Sequence, residues 1–119
     1  MYTICAKPEN HRVEVTFEGP HDYDHVAFSA ELREAVLSIR SSDGHFDLLV
    51  DFSKGQVLPQ EIAHRSEQNI AWCLSQGMRK SANVMPTTTH RMQVKRLSNQ
   101  DERLGYFPSR PLAESWLES

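Results

Sequence analysis

The sequence predicts an α/β fold: one domain on a mostly parallel sheet of four or five strands, with one antiparallel strand at its N-terminal edge and four helices, in the order ββαβαβαβα. Three observations carry this. Val13, Val15 and Phe17 alternate with Glu14 and Thr16, the period of two expected of a strand with one covered face. Phe28, Leu32, Ala35, Val36 and Ile39 recur at helical spacing as one apolar stripe. "FDLLVDF", residues 46 to 52, is a nearly continuous apolar run, as expected of a central strand covered on both faces. Strands alternating with helices imply parallel pairing through right-handed crossovers.

Each element has a local reason. "YTICA" reads as the first strand, "PEN" as a turn and "RVEVTFEG" as the second strand, so the two form the antiparallel edge. The first helix follows Gly19-Pro20 and is ended by "SSDG". After the central strand, Pro59 suits the first turn of a second helix. Ile62, Ala63, Ser66, Ile70, Cys73 and Leu74 make its inner face, and Gly77 closes it. "SANVM" is short and apolar enough for a strand. "PTTTHRMQVKRL" offers threonine caps before a basic third helix. "RLGYFPS" is a last strand, and "RPLAESWLES" a last helix with Leu112, Ala113, Trp116 and Leu117 on one side.

A chain of 119 residues can bury one core without staples, and 39% apolar with 24% charged residues is ordinary for a globular domain. "MYTICAKPENHR" lacks the basic start and apolar run of a secretory signal, and no stretch approaches the ~18 apolar residues of a membrane span. Cys5 and Cys73 have no metal spacing and are expected to be reduced, partly buried thiols of a cytoplasmic protein. Net charge is −3; residues 1 to 67 hold 12 acids and 6 bases, residues 68 to 119 hold 4 acids and 7 bases. That asymmetry is too mild for a nucleic-acid partner, which asks for a clustered basic face. No cofactor is expected either, since no nucleotide loop is present.

The element order, with "LLVDFS" after the first long helix, resembles the STAS domain, the fold of bacterial anti-sigma-factor antagonists. "SANVMPTTTHRMQVKRL" followed by "GYFPSRPLAESWL" is similar to the SpoIIAA-like branch of that group: a strand, a helix with an Arg-Met-Gln motif, an aromatic strand and a closing Ala-x-x-Trp-Leu. The likeness covers essentially the whole chain and implies a regulatory domain. Phospho-regulated antagonists carry an Asp-Ser-Ser-Gly type motif at the start of the helix after the third strand. Here Leu58-Pro59-Gln60-Glu61 stands there, with no hydroxyl to accept phosphate. Glu61 instead puts a negative charge where the helix dipole favours one.

Four groups of residues are candidates for a task. Asp51 and Ser53 stand at the carboxyl end of the central strand, where α/β folds often keep reactive groups. No paired acid, P-loop or His-Ser pair accompanies them, so bonds to nearby backbone amides are the expected role. "HDYDH", residues 21 to 25, is the most metal-like string, but aspartates at a helix start are explained by capping, and no metal site is expected. In the third helix a projection places His90, Val94 and Leu97 inward. Arg91, Met92, Lys95 and Arg96 form an outer basic face, below Thr87, Thr88 and Thr89 with free backbone amides. That face is a candidate for an anionic ligand or a membrane surface, set against the plainer role of a solvated helix side. Trp72, with Arg65, Gln68, Asn69 and Gln76 around it, is a candidate partner or homodimer patch; the alternative is an indole folded under a neighbouring loop. His11, His45 and His64 stand singly.

These features predict a non-enzymatic interaction module, with a protein partner or a second copy of the chain met through exposed helices, and no catalytic residue. The alternative is a small carrier or sensor of a non-polar or anionic ligand or lipid, touching membranes transiently, since SpoIIAA-like domains resemble lipid-transfer domains in fold. The two differ in one physical respect: a carrier has an apolar cavity of at least about 300 Å3, while a recognition module is packed solid.

Overall fold

A computed structural model describes residues 1–40, 44–56, 59–85 and 101–119. Five strands, β1 (Tyr2–Lys7), β2 (Arg12–Gly19), β3 (Phe46–Gly55), β4 (Met78–Val84) and β5 (Leu104–Phe107), lie side by side in chain order. β1 is antiparallel to β2, and all other neighbours are parallel. The sheet is thus five-stranded and mixed, with the apolar run of residues 46 to 52 at its centre. Three helices are described: α1 (His25–Ile39), α2 (Gln60–Ser75) and α3 (Arg110–Leu117). The basic helix expected over residues 87 to 97 lies outside the described residues, so the four-helix order is not established.

Chain order in the sheet decides where the helices go. Each parallel step moves one place in the same direction, and right-handed crossovers that step one way land on one face. α1 and α2 accordingly cover the same face, over Val13, Val15 and Phe17 of β2 and Leu48, Val50 and Phe52 of β3, all nearly inaccessible. α3 packs on the other face, where Ala113 and Leu117 meet Leu49, Ala82 and Val84.

Several local readings are refined. "PEN" is one turn of 3-10 helix, Pro8–Asn10, closed by His11 at φ 50°. β3 does not end at Phe52 but pairs on to Gly55, because Lys54 and Gly55 still find Glu18 and Gly19 of β2 beside them. β4 begins at Met78, earlier than "SANVM", since Met78 pairs with Phe46 and is buried. The Asp24 carboxylate caps α1, accepting from the backbone N–H of Val26 and of Ala27 at 3.0 Å each. Leu112, expected inward, is 53% exposed; on so short a helix Ala113 and Leu117, one turn apart, already fill the contact. Of the two thiols, Cys73 is fully buried and pushed up to about 12 by desolvation, whereas Cys5 is exposed rather than partly buried. The reason is position: Cys5 lies on the edge strand with its side chain on the face that α1 and α2 leave open.

Candidate functional site

The face under α1 and α2 is not filled. A cavity of about 350 Å3 lies between the sheet and the two helices. Its floor is Val15, Phe17, Leu48, Val50 and Phe52, with Leu104 and Tyr106 from β5; Phe28 and Leu32 of α1 wall one side. The roof is α2, and its composition explains the void. Ala63 and Ser66 occupy the inner stripe where a well-filled layer would carry Leu or Ile, so the helix stands over the sheet without plugging the space.

Most of the lining is apolar, and besides Ser66 its polar members fall into two kinds. Glu67 is exposed, and Asp101 is held by Arg103, which donates from Nε at 3.1 Å and from a terminal nitrogen at 2.8 Å. The Arg103 hydrogen bonds hold the Asp101 carboxyl below its usual range. Asn69 and Asn83 are different, being 7% and 5% exposed. Asn83 donates from Nδ2 to the carbonyls of Gly105 at 3.1 Å and Ser81 at 3.4 Å. Among the described residues the buried side-chain polar atoms without a hydrogen-bond partner are Arg12 Nε and Ser81 Oγ. No Lys, Arg or His is among the described lining residues.

Asn69 corrects the expectation drawn from sequence, which groups it with Trp72 on the outer surface. It stands four residues before Cys73 and seven after Ile62, both inner-face positions, and is buried with them. Helical spacing alone places it inside; only its polar side chain argues for the surface.

The other candidates are placed as follows. Asp51 is 8% exposed, on the sheet face opposite the cavity. Its Oδ1 accepts the backbone N–H of Ser53 at 2.8 Å, and its Oδ2 lies 3.7 Å from the Arg110 guanidinium. Arg110 also meets Glu14 at 2.5 Å and Glu114 at 3.0 Å. Burial works against the Arg110 charge, but the Glu114 hydrogen bond and the fields of Glu14 and Asp51 outweigh it and raise its pKa. Asp51 is thereby committed to structure, and Ser53 is exposed. Glu61 is exposed in the first turn of α2; Leu58 lies outside the described residues.

Trp72 is half-buried against the core, with the Arg33 guanidinium 5.1 Å from its ring centroid. It joins α2 to α1 rather than standing free. Arg65 and Gln68 are exposed, but Gln76 accepts a 2.5 Å hydrogen bond from Arg40, tying the ends of the two helices together. Thr87, Thr88, Thr89, Arg91, Met92, Lys95 and Arg96 lie outside the described residues.

In "HDYDH", His21 donates from Nε2 to the Gln56 carbonyl at 2.8 Å and accepts from the Tyr23 hydroxyl at 3.2 Å. Among the described residues no group of three His, Cys, Asp or Glu is arranged to hold a metal ion, and no helix is long and apolar enough to cross a membrane. Desolvation lowers the His21 pKa below 6.5, only partly opposed by the Gln56 bond. The unfolded chain therefore takes up this proton first, and stability falls as pH drops from 6.5 toward the folded pKa. A urea midpoint at about pH 5.5 below that at about pH 7.5 is expected, with a smaller difference in His21→Gln. An equal difference in the variant would contradict it.

The chain matches no protein-family model, and no curated protein is significantly similar to it.

Proposed function

We propose that this chain is a non-catalytic binding domain, a carrier or sensor, for a small non-polar ligand held between the sheet and α1 and α2. The observation that carries this is the apolar cavity of about 350 Å3, within the size range of small-molecule sites. At ~30 Å3 per non-hydrogen atom, the volume liquid water gives each molecule, it has room for roughly a dozen atoms. A surface-recognition module has less support, because Trp72 is engaged with Arg33. The likeness of "SANVMPTTTHRMQVKRL" and "GYFPSRPLAESWL" to SpoIIAA-like STAS domains supports the reading through their kinship in shape with lipid-transfer domains. A cytoplasmic setting accords with two unpaired cysteines. The non-catalytic part rests on Asp51, whose carboxylate holds the Ser53 backbone N–H and Arg110 rather than facing the cavity.

Equilibrium dialysis against naphthalene tests the proposal. Saturable one-to-one binding with a Kd on the order of 10–100 µM is expected of a ligand this size. If naphthalene distributes equally between protein and buffer compartments, the proposal fails.

A further inference from the structure

Building on that binding role, we infer that the ligand carries an aromatic ring rather than a saturated chain or ring, and that Phe17, Phe28 and Phe52 select it. The three line the cavity from three different elements, β2, α1 and β3. Their rings already meet one another. Phe17 and Phe52 stack with centroids 5.0 Å apart and planes 18° apart, and Phe28 lies 5.4 Å from Phe17 at 46°. Those separations fall in the range over which aromatic rings attract one another beyond the burial of their area, through the uneven charge of face and edge. A ring that enters beside them extends the array. A saturated body of the same size gains dispersion and burial alone.

The array is braced from behind by two tyrosines that are not among the described lining residues. Tyr2 meets the Phe28 ring edge to face at 4.9 Å and 82°, and Tyr23 lies 5.7 Å from both Phe17 and Phe28. Each tyrosine is tied at its far end: the Tyr2 hydroxyl donates to the Glu31 carboxylate, and the Tyr23 hydroxyl to His21. Rings packed on two sides have little rotamer freedom left to lose when a ligand arrives, so the aromatic wall is preorganised. Preorganisation turns a modest contact preference into a measurable one.

Naphthalene and trans-decalin share one fused carbon skeleton and differ in unsaturation, so together they test the inference. Equilibrium dialysis of a trace of each against rising protein concentration gives the two affinities, and scaling each by the compound's partition from water into hexadecane removes plain hydrophobicity. On that scale naphthalene is expected to bind at least about fivefold tighter than trans-decalin. In Phe28→Leu and in Phe52→Leu this advantage should shrink by at least about threefold, while retained trans-decalin binding certifies the fold of each variant. Equal scaled affinities in the wild type would overturn the inference. So would a naphthalene advantage that survives both substitutions, or substitutions that weaken both compounds alike. If neither compound binds the wild type, the cavity reading on which the inference rests is lost instead.

Discussion

Ala63→Phe is expected to weaken naphthalene binding by at least about thirtyfold while the domain stays folded. Ala63 is 3% exposed and lines the cavity from the first turns of α2, so a benzyl group there grows into empty space. Filling a void differs from overpacking a full core: no neighbour must leave its rotamer, and a stability change within ~1.5 kcal/mol is expected. Loss of the part of the cavity that the phenyl ring occupies removes dispersion contacts and apolar burial that hold the ligand. Ser66→Leu, one turn further on, should act in the same sense and more weakly, because Ser66 is only half-buried. Dialysis and a urea melt on the same samples settle it. A variant that is folded and binds naphthalene like the wild type would place the ligand elsewhere.

Gly77→Ala is expected to cost about 3–5 kcal/mol, a large part of the 5–15 kcal/mol by which a domain of this size is stable. Gly77 follows α2 with φ at +96°, a conformation that costs any residue with a Cβ about 1–2 kcal/mol. Steric overlap costs more. A Cβ at Gly77 would stand 1.9 Å from the Gly44 carbonyl oxygen and 2.9 Å from its carbon. Both atoms are backbone, so the turn after α2 or the chain leading into β3 must move. β3 is the central strand and β4 starts at the next residue, Met78, so the displacement reaches the sheet itself. Urea denaturation followed by far-ultraviolet circular dichroism measures the loss. A loss below ~1 kcal/mol would mean that the two backbone segments are not in contact.

The frame of the fold is legible in the sequence because its signals are periodic and local. The alternation of Val13, Val15 and Phe17, the stripe from Phe28 to Ile39 and the apolar run at residues 46 to 52 each follow from geometry that a strand or helix imposes on its own residues. The cap of α1 and the glycine stop of α2 are equally local. Asp51 is readable too, in that no reactive partner accompanies it in the sequence and its carboxylate is indeed occupied by the Ser53 amide. Its second partner, Arg110, comes from a helix far along the chain and has no local signature.

From the amino-acid order one can deduce that residues 46 to 52 are buried on both sides and that amphipathic helices cover them. That follows because apolar surface is excluded from water wherever it lies in the chain. Three further facts emerge only from the assembled domain: β1 to β5 line up in chain order, α1 and α2 share one face, and a void remains under Ala63 and Ser66. A cavity is a difference between the volume two elements enclose and the volume their side chains fill. No single stretch of residues contains that difference, so the pocket does not exist until the elements are brought together.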